Sequence, residues 1–310
     1  MLLIQLLTPE PARDRFAVPL RAALADRGVV ADLSWDHPPA GVDYVIYCPG
    51  GAAVDFADYP RARAVFSLWA GVETIVTDPT LTQPLARLVD PGLTQGMVEW
   101  VTGHVLRHHL GLDADILGQN GVWSPRPCPP ATERPVTILG LGELGRAAAR
   151  ALSGLGFAVT GWSRSPRDEP GLVRCLSGAD GLEQALTGAA ILILLLPSTP
   201  RTDNILNAAR LALLPQGAVV LNPGRGALID DAALLAALDS GHLGWATLDV
   251  FRTEPLPPQN RFWTHPRVTV TPHIASATSP GSAARTIAAN LARAEAGLPI
   301  LHLVDRALGY

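Results

Sequence analysis

Residues 140–145 form a Gly-x-Gly-x-x-Gly sequence, directly after the apolar run 136–139 and directly before a helix-forming stretch. A strand, a glycine turn and a helix in this order form a far more specific signal than the glycines alone, so a generic glycine-rich turn is disfavoured. The glycines let the backbone approach a pyrophosphate, and N–H groups at the helix start bind its oxygens. The sequence predicts a dinucleotide-binding turn with contacts from Gly140, Gly142, Glu143, Leu144 and Gly145.

Short apolar runs alternate with helical stretches on both sides of this turn. Besides 136–139, strands are predicted at residues 158–162, 191–196, 218–222, 245–249 and 268–271. Before the turn, β-type runs occupy residues 2–7, 42–47 and 64–68. Strands that alternate with crossover helices are typical of parallel sheets. The predicted fold class is α/β, with two Rossmann-like, doubly wound parallel-sheet domains and a cleft between them.

The domain boundaries follow from the pattern between and after these runs. A glycine-rich stretch at residues 91–96 is predicted to be a hinge, and a helix is predicted over residues 97–112. The tail, residues 280–298, has a helical pattern and is expected to return to the first domain. We therefore predict a discontinuous, flavodoxin-like substrate-binding domain of residues 1–97 and 278–310, and a dinucleotide-binding Rossmann domain of residues 98–277.

Composition limits the classes of partner. The 310 residues suffice for two hydrophobic cores, and no apolar run is long enough to cross a bilayer. The N-terminus lacks the basic and small-residue features of a signal peptide, so we expect a cytoplasmic protein without a membrane partner. A net charge of −4 without a basic stripe argues against nucleic acid as a partner.

The cysteines and a histidine cluster are the candidate metal ligands of the sequence. The three cysteines are widely spaced, so they are predicted to be reduced, mostly buried thiols rather than disulfides or zinc ligands. His104, His108 and His109 share one predicted helix, where the first two have a spacing that a metal could use. Because no third ligand accompanies them, we predict a solvated helix face and no metal site.

The choice between the two nicotinamide dinucleotides depends on the end of the strand after the glycine turn. An acidic residue there accepts the ribose hydroxyls of NAD, but residues 161–167 contain no carboxylate. They contain Ser163, Arg164 and Arg167, whose hydroxyl and guanidinium groups suit a 2′-phosphate. This pattern predicts NADPH in preference to NADH, with NADH still possible; the alternative is that the arginines only solvate a loop.

Three further residues form a candidate catalytic set. Arg225 follows the predicted strand 218–222, where its guanidinium can bind a carboxylate through two parallel hydrogen bonds. His273 follows another apolar strand and is a candidate proton donor, with Glu254 as the carboxylate that favours its protonated form. Each residue alone has a structural alternative, such as a surface arginine or a loop carboxylate. Asp249 is expected either to contact the nicotinamide carboxamide or to brace the loop that carries Glu254.

With these residues together, the chain resembles the D-isomer-specific 2-hydroxyacid dehydrogenases, and within them the glyoxylate/hydroxypyruvate reductase A group. Supporting segments include Trp-Ser-Arg at 162–164, Leu-Leu-Pro at 195–197 and Leu-Asp-Val-Phe at 248–251. The resemblance implies a two-domain homodimer in which Arg225 binds substrate, Glu254 supports the histidine and His273 is the acid/base. It also implies that Pro197 contacts the cofactor and that Ala70, Gly71 and Val72 receive the substrate carboxylate.

The predicted function is NADPH-dependent reduction of small 2-oxo acids, from glyoxylate to glycolate and from hydroxypyruvate to D-glycerate, by hydride transfer with a histidine general acid. One alternative is an NADH-linked D-2-hydroxyacid dehydrogenase that acts on a bulkier 2-oxo acid. Another, of a different class, is a dinucleotide-sensing scaffold that binds a protein partner. The complete Arg, Glu and His set disfavours the scaffold.

Overall fold

A computed structural model describes residues 1–310, which divide into two compact units. The first unit comprises Met1–Leu93 and Ala277–Tyr310, and the second comprises Thr94–Ser276. The sequence predicted this division at residues 97/98 and 277/278; the assignment of the units to substrate and dinucleotide stays a prediction. None of the helices has both the length and the apolar character that crossing a bilayer requires.

The first unit is built on a five-stranded parallel sheet. Its elements are β1 (Leu2–Leu7), α1 (Arg13–Asp26), β2 (Ala31–Ser34), β3 (Tyr44–Tyr47), β4 (Val65–Ser67), β5 (Leu85–Ala86) and, from the tail, α8 (Pro280–Glu295). The strand order is β2-β1-β3-β4-β5. Ile287 and Leu291 of α8 join Phe16 and Leu20 of α1 in the core over this sheet. The tail helix therefore completes the hydrophobic core of the first unit.

The second unit has a seven-stranded parallel sheet. Its strands are β6 (Val136–Leu139), β7 (Val159–Ser163), β8 (Arg174–Ser177), β9 (Ile191–Leu194), β10 (Ala218–Asn222), β11 (Leu243–Leu248) and β12 (Val268–Val270). Its helices are α3 (Leu112–Leu117), α4 (Glu143–Gly154), α5 (Gly178–Thr187), α6 (Ala208–Leu211) and α7 (Asp231–Asp239), together with most of α2 (Pro91–Leu110). The strand order β12-β11-β10-β9-β6-β7-β8 reverses direction between β6 and β9, where doubly wound sheets bind their ligands.

The predicted α/β class with two parallel sheets is confirmed, although three strands lacked a recognised signal. β2 has only one buried residue, Leu33, and β5 is two residues long. β8 lies at the sheet edge, and none of its residues is fully buried. Edge strands contact the core on few positions, so their sequences need no continuous apolar run.

The predicted start of the helix at residue 97 was wrong, because α2 already begins at Pro91 and the segment predicted to be a hinge is helical. Asp90 caps the helix: its Oδ2 accepts hydrogen bonds from the backbone N–H of Leu93 at 3.1 Å and from Ser282 Oγ at 2.9 Å. An acidic cap followed by proline is a strong helix start, which outweighs the nearby glycines. A Cβ atom on Gly92 would lie 2.6 Å from Ser282 Oγ, so this glycine permits close packing within a helix.

The solvated face predicted for the α2 histidines was also wrong. His109 is 7% exposed, and His108 Nε2 lies 2.9 Å from Oγ1 of the buried Thr247 on β11. Burial, with a smaller effect of Arg107, lowers the pKa of His108 to about 4 and also lowers the pKa of His104. The histidine face of α2 therefore packs on the sheet.

All three cysteines are free, but only Cys48 is buried; Cys128 and Cys175 are half-buried.

Candidate active site

The glycine turn between β6 and α4 has the geometry of a phosphate cradle. Gly140 has a φ of +109°, and a Cβ there would overlap the carbonyl of Leu195, which follows β9. A Cβ on Gly145 would overlap the carbonyl oxygen of Gly140. A Cβ on Gly142, in contrast, would meet no atom within 4 Å. Two glycines thus allow close backbone packing, while the third leaves open space at the start of α4, which fits a dinucleotide pyrophosphate.

Side chains around the first turn of α4 are largely engaged with one another. Glu143 forms an ion pair with Arg146, and Leu144 is half-buried. The predicted contacts of Glu143 and Leu144 with the cofactor are therefore expected through their backbone N–H groups. These contacts remain predictions.

The end of β7 is cationic. Ser163 is buried with its hydroxyl donating to the carbonyl of Ser165 at 2.8 Å, and Arg164 and Arg167 are exposed. Arg167 donates from Nη1 to the carbonyl of Leu141 at 3.2 Å, so it lies directly beside the glycine turn. The buried carboxylate of Glu169 is paired with Arg150 at 2.5 Å. Positive charge thus dominates where a ribose 2′-substituent is expected.

Pro197 follows β9 at the same edge of the sheet. It is half-buried, and its carbonyl accepts a hydrogen bond from Thr202 Oγ1 at 2.7 Å. The carbonyl of residue 197 is therefore already engaged. Its predicted contact with the cofactor would come from the ring.

Arg225 stands on a turn that its neighbours shape closely. Asn222, 1% exposed at the end of β10, donates from Nδ2 to the carbonyl of Arg225 at 2.9 Å and accepts from the N–H of Gly224 at 3.1 Å. A Cβ on Gly226 would overlap the backbone carbonyl of Phe251, so only glycine allows this approach. Asn222 and Gly226 were not predicted as supports of the Arg225 turn, although both belong to the Asn-Pro-Gly-Arg-Gly sequence.

His273 and Glu254 form a close pair in the structure. His273 Nδ1 lies 2.6 Å from Glu254 Oε2, while Glu254 Oε1 accepts from the N–H of Phe251 at 2.8 Å. The histidine backbone has a φ of +53°, and its N–H donates to the carbonyl of Asp249 at 2.8 Å. The imidazole is 56% exposed, so its opposite nitrogen, Nε2, faces outward from the carboxylate. This arrangement fixes the orientation of the ring.

Asp249 braces a different loop from the one expected. It is fully buried, and Oδ1 accepts from Thr271 Oγ1 at 2.6 Å and from the N–H of Ile274 at 2.9 Å. Oδ2 accepts from the N–H of Ala275 at 2.9 Å. The carboxylate therefore holds the loop that carries His273 rather than the one that carries Glu254. A contact with the nicotinamide stays a prediction.

Arg225, Glu254 and His273 follow three neighbouring parallel strands, β10, β11 and β12. Since parallel strands present their carboxyl ends at one edge, the structure brings these three segments together at the ligand-binding edge of the second sheet. The glycine turn, Ser163 and Pro197 follow β6, β7 and β9 at the same edge. The cofactor and catalytic candidates of the second unit thus share one edge.

The predicted substrate loop belongs to the first unit and follows β4. Ser67 Oγ accepts from the N–H of Trp69 at 3.1 Å and donates to its carbonyl at 3.0 Å. No backbone–backbone hydrogen bond uses the N–H groups of Ala70, Gly71 or Val72. Donors presented on a fixed loop suit a carboxylate; the binding of substrate there stays a prediction.

Comparison with known proteins decides the family. A sequence model described as D-isomer specific 2-hydroxyacid dehydrogenase, NAD binding domain, matches residues 103–275, more than half of the chain. The chain belongs to the D-isomer-specific 2-hydroxyacid dehydrogenase family. The predicted resemblance is confirmed, and membership makes this dehydrogenase an NAD(P)-dependent oxidoreductase.

Individual members of the family match along most of the dehydrogenase. Glyoxylate/hydroxypyruvate reductase A of Serratia proteamaculans is 43% identical over 262 residues, which cover 82% of this chain and 83% of the relative. A D-isomer specific 2-hydroxyacid dehydrogenase from Xanthobacter autotrophicus Py2, solved with NADPH and MES, aligns with a TM-score of 0.89 at 38% identity over 100% of this chain and 99% of that one. An NADPH-dependent glyoxylate/hydroxypyruvate reductase from Sinorhizobium meliloti, solved with NADP and sulfate, has a TM-score of 0.86, with the same identity and coverage.

Proposed function

We propose that the protein reduces small 2-oxo acids with NADPH, converting glyoxylate to glycolate and hydroxypyruvate to D-glycerate. The observation that carries the proposal is the 2.6 Å pair of His273 and Glu254 at the sheet edge that also holds Arg225. The names of the Serratia and Sinorhizobium relatives support the substrate class. When bound, the nicotinamide supplies the hydride.

The chain's own residues bind the oxo acid and supply its proton. Arg225 binds the carboxylate through parallel hydrogen bonds and stabilises the negative charge that develops on the carbonyl oxygen. Protonated His273 donates from Nε2 to that oxygen. Glu254 fixes the ring through Nδ1, so that Nε2 is directed at the substrate. The N–H groups of Ala70, Gly71 and Val72 are further donors for the substrate carboxylate.

The cofactor preference follows from the end of β7. Ser163, Arg164 and Arg167 would hold the 2′-phosphate of NADPH, and the open turn at Gly142 would hold the pyrophosphate. The Xanthobacter and Sinorhizobium structures, solved with NADPH and NADP, support this choice.

Initial rates of NADPH and NADH oxidation, with glyoxylate, hydroxypyruvate, pyruvate and phenylpyruvate as oxidants, test the proposal. We expect fast NADPH-linked reduction of the first two acids. A preference for NADH or for phenylpyruvate would contradict the specificity while retaining the chemistry. The absence of turnover with every pair would contradict the enzyme and favour the sensing scaffold.

We further propose that the protein is a homodimer and works in the cytoplasm. Large apolar side chains lie exposed in and after α3, with exposed fractions of 65% at Ile116, 82% at Leu117 and 94% at Trp123. Clustered exposed apolar residues are typical of protein interfaces, and a second copy of the chain would cover them.

The three free cysteines support a reducing compartment, which cell fractionation would test.

A further inference from the structure

Arg252 lies two residues before Glu254, and its guanidinium is engaged on all sides. Nε and Nη2 donate to the carbonyl of Ile229 at 3.2 and 2.7 Å, and Nη2 also donates to the carbonyl of Ala227 at 3.0 Å. Nη2 further contacts Asn204 Oδ1, and Nη1 forms an ion pair with Asp203 at 3.3 Å. Every nitrogen of the side chain is therefore used, although the side chain is 34% exposed.

These contacts join three separate stretches of the second unit. Residues 226–229 come directly after Arg225, residues 251–254 carry Glu254, and residues 203–204 lie in the loop after β9. The 203–204 stretch is itself tied to the Arg225 side, because the N–H of Asn204 donates to the carbonyl of Ala227 at 2.8 Å. Asn204 has a φ of +48°; its amide oxygen contacts Arg252, while its backbone N–H contacts Ala227. Arg252 is the side chain at which all three stretches meet.

The junction between the Arg225 turn and the Glu254 segment has no spare room. The backbone at Gly226 packs so closely on Phe251 that a Cβ would overlap it, and the N–H of Phe251 donates to Glu254 at 2.8 Å. A small shift of residues 251–254 against 226–229 would therefore reorient the Arg225 side chain. It would also move the carboxylate of Glu254 relative to His273. The planar, five-donor fork of arginine suits this clamp, whereas lysine has one nitrogen and lacks those that contact Ile229 from Nε and Asp203 from Nη1.

We propose that Arg252 is a positioning residue, which holds the Arg225 turn and the Glu254 segment in one fixed relation and so governs the rate of proton transfer. The proposal rests on the proposed function, since it assigns Arg252 to the same reaction. It predicts that Arg252 acts on kcat, through the proton-transfer step, rather than on cofactor binding. It also predicts that Asn204 acts through the same clamp.

The test compares Arg252→Met and Arg252→Lys with Arg261→Met in the full-length protein. Arg261 is a matched control, because it is 63% exposed in the same unit and forms an ion pair with Asp239 at 3.1 Å. We expect Arg252→Met to lower kcat for glyoxylate about a hundredfold, the effect typical of a misplaced catalytic group. The kcat of Arg252→Lys should exceed that of Arg252→Met by less than about tenfold. The dissociation constant of NADPH should stay within about twofold.

Two further readouts separate positioning from a general loss of structure. The solvent isotope effect on kcat should rise in Arg252→Met, because proton transfer becomes slower relative to the other steps. The double variant Asn204→Ala, Arg252→Met should be no slower than Arg252→Met alone, since the two residues share one interaction. Three results would each overturn the proposal: a kcat of Arg252→Met no lower than that of Arg261→Met, an unchanged solvent isotope effect, or loss of NADPH binding in parallel with kcat.

Hydrogen exchange keeps the failure of this proposal distinct from failure of the proposed function. Should the wild-type protein reduce no oxo acid, the clamp still predicts faster exchange in residues 222–229 and 249–254 of Arg252→Met, with the remaining peptides unchanged. Unchanged exchange in both segments would overturn the clamp whatever the activity.

Discussion

At the scale of single residues, the local sequence carries much of the chemistry but not its geometry. The patterns around Glu254 and His273 predicted their partnership, and the structure places the two side chains 2.6 Å apart. The task of Asp249 was not predictable, because its three donors come from residues 271–275, beyond the next strand. A carboxylate at a strand end has the same sequence context whether it faces a ligand or a neighbouring loop.

Replacement of His273 by Ala should lower kcat about 10³-fold, as expected for removal of a general acid, while NADPH binds within about twofold of wild type. Glu254→Gln should give a smaller loss, because a neutral amide holds the ring through a weaker hydrogen bond than a carboxylate does. Glu133→Gln, on the exposed turn before β6, serves as the control. Fluorescence titration and initial rates measure both quantities; combined loss of NADPH binding and turnover in His273→Ala would contradict the assignment.

The glycine turn offers a second test at this scale. Gly145→Ala should weaken NADPH binding at least about tenfold, because its Cβ would overlap the carbonyl oxygen of Gly140 and displace the turn. Gly154→Ala, in the same helix, should leave binding unchanged and stabilise the protein by up to about 1 kcal/mol, since no atom lies within 4 Å of its Cβ. Equal affinities of the two variants, measured by titration, would show that the turn does not hold the cofactor.

At the scale of elements, long buried strands and helices with clear end signals were predictable, whereas their packed faces were not. β6 and β10 match the predicted ranges, because their residues are buried throughout and read as continuous apolar runs. The sequence predicted that the polar face of α2 is solvated, yet His108 contacts Thr247, 139 residues away in sequence. Helical periodicity shows that a polar face exists and not what covers it.

The burial of this α2 face predicts an acid-sensitive second unit. The pKa of His108 is lowered to about 4, so the unfolded chain takes up its proton first as the pH falls. The stability associated with the neutral ring is complete above about pH 6.5 and is lost as the pH falls towards 4, by up to about 3 kcal/mol. Urea unfolding of His108→Gln should show a smaller decline over this interval; parallel declines in both proteins would refute the prediction.

At the scale of the whole molecule, the chain order differs from the order in space. α8 lies at the end of the sequence but supplies Ile287 and Leu291 to the core of the first unit. The helical pattern of residues 280–298 predicted this return. The homodimer that we propose would use a different surface, the exposed apolar side chains in and after α3.

Negative charges introduced on that surface should abolish the proposed dimer. We expect light scattering to give the mass of two chains for the wild type and of one chain for Leu117→Glu combined with Trp123→Glu, because burial of the new carboxylates at an interface is costly. Val30→Glu, at a position 72% exposed in the first unit, should keep the wild-type mass. A monomeric wild type, or a double variant with unchanged mass, would contradict the homodimer.

The sequence by itself determined the α/β class, and it predicted the dinucleotide turn and the set of Arg225, Glu254 and His273. Their signals are local, since a glycine turn, a buried strand or a strand-end side chain depends on residues close along the chain. Only the tertiary structure decided the burial of the α2 histidines, the support of the His273 loop by Asp249 and the clamp at Arg252. These depend on contacts between distant segments, such as Arg252 with Asn204 across 48 residues, which no local pattern encodes.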